Sequence, residues 1–223
     1  MREQEIRISA GHEDVSGLLI APQEARACYV LAHGAGVGMR HKFMAAVAHG
    51  LAERNVATVR YQFPYMERGS KRPDSPKAAQ AAVRAAVEKA RAMLPELRLI
   101  AGGKSYGARM ASQAQAEAPL PGLRGLAFLG FPLHPPGQPS DTRAEHLSRV
   151  QIPMLFLQGT RDDFAELDYL KPLVKRLGAR ATLKLFEKAD HSFHVPAKSG
   201  RTDAKVMEEL LDELAQWIDR LCA

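Results

Sequence analysis

Gly103-Lys104-Ser105-Tyr106-Gly107 is the segment of this 223-residue chain whose residue types and spacing speak most directly of chemistry. It follows the apolar run Leu97–Ala101 and precedes a helix-compatible stretch, Ala108–Ala118. A serine between two glycines at a strand–turn–helix junction makes a nucleophile elbow. The turn is sharp, and side chains at the glycine positions would collide with neighbouring backbone. The serine hydroxyl then stands above the sheet at the amino end of the next helix, where backbone N–H groups can hold a developing oxyanion. A phosphate-binding loop also ends in Gly-Lys-Ser, but it requires glycine where this chain has Arg98. The bland reading, a turn of small residues, has to be weighed against the rest of the chain.

Three further segments leave apolar runs in the same way. His33-Gly34-Ala35-Gly36-Val37-Gly38 follows Ala27–Ala32. A His-Gly loop after the third strand would supply a second oxyanion donor, so the expected pair of backbone N–H groups is Ala35 and Tyr106. A dinucleotide-binding turn is the rival there, but Met39 replaces its third glycine and no acidic residue closes the next strand. Asp162 follows Met154–Leu157, and His191 follows Ala181–Phe186. The chain order is then Ser105, Asp162, His191. In that order the imidazole takes the serine proton and returns it to the leaving group, while the carboxylate orients the ring and stabilises its cation. Asp163 and His194 are the neighbouring alternatives for the acid and the base.

These residues need elements to carry them. Short apolar runs at 27–32, 56–61, 97–101, 125–129, 154–157 and 181–186, bounded by glycine or proline, read as strands buried on both faces. Residues 77–94 are alanine-rich between Pro76 and Pro95 and read as a helix. A second helix carries Val206, Leu210, Leu211, Leu214, Trp217, Ile218 and Leu221 as one stripe. Ile6–Ile8 and Val15–Ile20 read as an antiparallel pair at a sheet edge. The alternation predicts one α/β domain over residues 1–223, a mostly parallel open sheet with helices on both faces. Ligands of such sheets bind outside the carboxyl ends of the strands, where all four segments lie. Only about twenty-five residues separate the strands ending at Leu129 and starting at Met154, too few for a cap domain, so the cleft is expected to be open.

Composition narrows the partners. Apolar residues make up 46% and charged residues 25%, an ordinary globular balance that excludes low-complexity and collagen-like chains. Lys and Arg total 31 against 25 acidic residues, a net charge of +6. No zinc-finger, helix-turn-helix or RNP-like signature accompanies that charge, so no nucleic-acid partner is expected. Cations near the strand exits instead point to a mouth for an anionic substrate, with Lys104, Arg109 and Arg161 as candidate contacts. Glu67, Arg68, Lys71 and Arg72, after the 56–61 run, belong to the same expectation, and His134 in Pro132-Leu133-His134-Pro135-Pro136 is a further candidate contact. Cys28 and Cys222 form no CxxC pair and the histidines show no metal-ligand spacing, so neither metal nor cofactor is expected. The charged start Met1-Arg2-Glu3-Gln4-Glu5 and the lack of a long apolar run predict a cytoplasmic protein that does not engage a membrane. Oligomeric state is not legible.

Taken together, the chain resembles the α/β-hydrolase superfamily and its dienelactone-hydrolase-like branch. The resemblance narrows to a subfamily of the KANL/Tex type, whose eukaryotic relatives include a testis-expressed protein and a histone-acetyltransferase complex subunit. It rests on His33-Gly34-Ala35-Gly36, Arg60-Tyr61-Gln62-Phe63-Pro64-Tyr65, Gly102-Gly103-Lys104-Ser105, Phe131-Pro132-Leu133-His134-Pro135-Pro136-Gly137, Gly159-Thr160-Arg161-Asp162 and Asp190-His191-Ser192-Phe193. Tyr106 and Ala108 depart from the Met and Gly usual in that subfamily. The resemblance implies a serine hydrolase acting on a small ester or thioester through an acyl-enzyme on Ser105. A catalytically silent binding module on the same fold is the alternative, and carbon–carbon bond cleavage by the same residues is a third reading.

Overall fold

The computed structural model describes residues 3–11 and 13–222. Met1 and Arg2, part of the charged start, lie outside them. Eight strands form one sheet: β1 (Gln4–Ala10), β2 (Glu13–Ile20), β3 (Ala27–Ala32), β4 (Val56–Tyr61), β5 (Arg98–Lys104), β6 (Leu123–Leu129), β7 (Met154–Gly159) and β8 (Ala181–Phe186). Their order is β1-β2-β4-β3-β5-β6-β7-β8, with β3 to β8 parallel and β2 antiparallel to both of its neighbours. β3, β4 and β7 are buried along their whole length. Helices cover both faces, so no polar alternation is required of these strands.

Helices α1 (Lys42–Ala52) and α6 (Asp203–Cys222) cover one face, packing Met44, Val47, Leu210, Leu214 and Trp217 against Tyr29, Leu31 and Leu155. The other face carries the single turn α2 (Pro64–Glu67), α3 (Pro76–Met93), α4 (Tyr106–Glu117) and α5 (Leu167–Leu177). Ser75 caps α3 through its hydroxyl and Pro76 occupies the first turn, which is why the alanine-rich run starts there. Between β6 and β7 there is only a loop with a short 3-10 segment, Thr142–Arg149, and no cap domain. No helix among the described residues is long and apolar enough to cross a membrane.

Besides the single turn α2, two helices are absent from the sequence reading. α1 contains Gly50 and His49 and buries several sides, so it shows no clean stripe. α5 contains Pro172, a residue that normally argues against a helix interior.

Candidate active site

At the carboxyl end of β5 the chain turns from strand to helix in one residue. Ser105 sits at φ 51°, ψ −112°, a strained conformation for a residue with a side chain. The flanking glycines are required by close approach: a Cβ on Gly103 would lie 2.2 Å from the Ala32 carbonyl oxygen, and one on Gly107 2.6 Å from the same atom. The elbow is thus wedged against the end of β3.

Ser105 Oγ lies 2.8 Å from His191 Nε2, and His191 Nδ1 lies 2.7 Å from Asp162 Oδ2. Asp162 has a fully buried side chain, whereas Asp163 is exposed. Asp162 Oδ1 accepts the Phe164 N–H at 2.8 Å, and Oδ2 also accepts from the Gln158 amide. With His191, three donors therefore fix the position of this buried carboxylate. Nδ1–H of His191 donates to it, leaving Nε2 to accept from the serine hydroxyl. Burial holds His191 below the usual histidine range, its hydrogen bond to Asp162 opposes that shift, and the Lys104 cation adds to it. The ring of Phe164 covers the imidazole at 4.3 Å.

The His191 turn is built by Asp190. Its Oδ1 accepts the N–H groups of Ser192 and His194 at 2.8 and 3.0 Å. Phe193, at φ 63°, is buried between the rings of Phe43 and Phe186. Lys104 Nζ donates to the His191 carbonyl at 2.6 Å and ties this turn to the elbow. Burial pushes the Lys104 ammonium down to about 8. His194 does not approach Ser105; its Nδ1 pairs with Asp203 at 2.8 Å on the rim.

The loop after β3 is fixed from below. The Phe63 N–H donates to His33 Nε2 at 3.0 Å, so the proton of this buried imidazole is on Nδ1, which donates to the Gly34 carbonyl at 2.8 Å. Burial pushes His33 down to about 4. The Gly34 C=O and the Ala35 N–H belong to one planar trans peptide and point in opposite directions. With the carbonyl turned to His33, the Ala35 N–H faces away from that ring, and Ala35 itself is among the residues lining the cavity. Gln62 Oε1 accepts the Met39 N–H at 2.9 Å and secures the far end of the loop. The Tyr106 N–H is the first of α4 and has no partner within the helix.

Ser105 opens into a cavity of about 610 Å³. Ala35, Val37, Phe43, Met44 and Phe164 supply its apolar wall, and Lys104, His41, Lys42, His194 and Asp203 its polar groups. Lys104 is the only candidate cation from the sequence that the structure places in this lining. Arg109 is not among the lining residues; its guanidinium lies over the Tyr106 ring, 5.9 Å from the centroid. His134 is buried, with Nδ1 on the Pro135 carbonyl at 2.8 Å. Arg161 lines a separate cleft with Lys188 and Lys198. The 67–72 cations do not reach the cavity either, and Arg68 pairs with Glu13 and Asp74. His41, Lys42, Phe43, Met44, Phe164 and Asp203 escaped the sequence reading. The first four follow the His-Gly loop directly, and that adjacency was the available signal.

Comparison with solved structures agrees with this architecture. A dienelactone hydrolase from Anabaena variabilis is 19% identical, with a TM-score of 0.80 over 98% of this chain and 97% of that one. A lidless alpha/beta serine hydrolase from Xanthomonas campestris is 20% identical, with a TM-score of 0.74 over 96% and 94%. An esterase from Pyrococcus furiosus is 15% identical, with a TM-score of 0.77 over 100% and 94%. At these identities the likeness is one of fold. A family model described as an alpha/beta hydrolase domain matches residues 25–219, and the chain belongs to that family.

Proposed function

We propose that the protein is a serine hydrolase that cleaves a carboxylic ester or thioester through an acyl-enzyme on Ser105. The observation that carries this reading is the unbroken hydrogen-bonded line from Ser105 Oγ through His191 to Asp162 at the floor of an open cavity. His191 Nε2 removes the hydroxyl proton as Oγ attacks the carbonyl carbon, and returns it to the departing alcohol or thiol. Asp162 keeps the proton of Nδ1 in place and stabilises the imidazolium. The N–H groups of Ala35 and Tyr106 receive the oxyanion. Water then attacks the acyl-enzyme by the same route in reverse. The absence of a cap between β6 and β7 and the apolar wall favour short or protruding acyl groups, and Lys104 and Lys42 favour an anionic one. The Phe63-Pro64-Tyr65 and Pro132–Pro136 segments support placement in the KANL/Tex-type subfamily.

Ser105→Ala should abolish turnover of an activated short-chain ester, and a fluorophosphonate probe should label the native protein but not the variant. Undiminished hydrolysis by the variant overturns the assignment. A folded native protein that the probe does not label favours the binding-module alternative. Equal kcat/KM for matched neutral and anionic esters removes the anionic preference alone.

A further inference from the structure

Gln158 is completely buried on β7, in the same row of side chains as Met154 and Phe156, which pack in the apolar layer under α4. An apolar residue would fill that row without having to satisfy an amide. Burial of an amide is tolerated only when its donors and acceptors are engaged. The Phe131 N–H donates to Gln158 Oε1 at 2.9 Å, which settles the orientation of the amide. Nε2 therefore faces Asp162 and donates to Oδ2, the same oxygen that accepts from His191 Nδ1. Gln158 thus bridges the loop after β6 to the carboxylate oxygen on which the imidazole depends.

We propose that Gln158 is a positioning residue of the hydrolytic site, fixing Asp162 Oδ2 toward His191 and drawing off part of the negative charge that this oxygen presents to the imidazole. The proposal rests on the Ser105 reading above. The groups facing His191 are Ser105, Asp162, the Lys104 cation from the elbow, Asp190 from its own turn and the Phe164 ring. Among the described residues, Gln158 and the Phe164 N–H are the hydrogen-bond donors to the Asp162 carboxylate besides His191 itself. A general base at this site must be neutral before attack. With the amide in place, Oδ2 holds the imidazolium less firmly. Without it, the full charge returns to Oδ2 and protonated His191 persists to higher pH.

The test is the pH profile of kcat/KM for a short-chain activated ester, with active sites counted by fluorophosphonate labelling. Gln158→Leu should move the acidic limb up by about half a pH unit or more. It should also lower kcat per labelled site by about tenfold, the scale of one hydrogen bond to a charged group, with little change in KM. Gln158→Glu serves if the leucine variant does not fold. Protonated, its carboxyl can donate to Asp162 as the amide does; ionised, it faces a second carboxylate. That variant should show an alkaline loss of activity absent from the native profile. A purely structural role would lower the number of labelled sites or the Tm while leaving the limbs in place. Native limbs in either folded variant, in an enzyme that Ser105→Ala inactivates, overturn the role of Gln158 and leave the Ser105 reading standing. Turnover that survives Ser105→Ala overturns that reading instead.

Discussion

His33→Leu tests whether the loop after β3 is set for oxyanion binding or merely filled. The substitution keeps an apolar bulk of similar reach where His33 meets Phe63 and Tyr65, ring centroids 4.9 and 6.1 Å away. It removes two hydrogen bonds: the acceptor for the Phe63 N–H and the donor that holds the Gly34 carbonyl. Leaving the buried Phe63 N–H unpaired should cost about 1–3 kcal/mol of stability, read as a lower urea midpoint. Freed from His33, the Gly34–Ala35 peptide can rotate, and Gly36 beside it at φ 72° offers little resistance. Loss of one oxyanion donor should lower kcat by roughly 10²–10³-fold with KM nearly unchanged, because the donor acts on the transition state. A trifluoromethyl ketone analogue of the substrate should lose affinity in parallel with kcat/KM. His33→Asn, which can donate and accept, should recover part of the loss. A folded leucine variant with native kcat and native analogue affinity would refute the reasoning, and a fall in stability alone would reduce His33 to a packing role.

The choice between neighbouring acids is also open to test. Asp162→Asn should lower kcat by about 10⁴-fold by presenting the wrong hydrogen-bonding partner to Nδ1. Asp163→Asn should leave it within about twofold, as expected of an exposed residue; equal losses would mean that the buried carboxylate is not the orienting one. Stability should fall with acid in a defined window. Burial pushes both His33 and His146 down to about 4, and His146 also feels the Arg149 and Arg109 cations. The unfolded chain binds protons at these sites from about pH 6.5, so it gains protons that the folded state refuses. Their contribution is complete above about pH 6.5 and is lost as pH falls toward 4, by about 2–3 kcal/mol for each. Urea unfolding at pH 7 and 4.5 measures it, and unchanged midpoints would refute it.

The strand ends were the legible part of this chain. β3 and β4 fall on their apolar runs because a strand buried on both faces has no polar position to blur its limits. β8 also matches its run, but it lies at the edge of the sheet with only Phe186 buried, not covered on both faces as that run predicts. Ser105, Asp162 and His191 were legible because each follows such a run in an order that few arrangements share. Arg109 and His134 were harder for a directional reason. Both follow strand exits closely in sequence, yet the Arg109 guanidinium lies over the Tyr106 ring, and His134 is buried with its N–H on the Phe164 carbonyl and its ring edge-on to Tyr169. Nearness along the chain does not say which way a side chain turns. Gln158 was invisible for the opposite reason: it lies inside an apolar run, and its importance comes entirely from what it touches.

Asp203, in the first turn of α6, accepts from the Val195 N–H as well as pairing with His194, while Arg201 just before it pairs with Glu209. The His191 turn is therefore moored to the last helix described, although the elbow belongs to the middle of the chain. During synthesis the serine and its strand can be in place before the turn that carries the imidazole has all of its ties: Asp162, Asp190 and Lys104 precede α6, whereas Asp203 belongs to it. The final docking of α6 completes the mooring. Hydrolytic competence would then emerge late. It would make a sensitive gauge of whether the C-terminal helix has seated, more immediate than any measure of overall helicity.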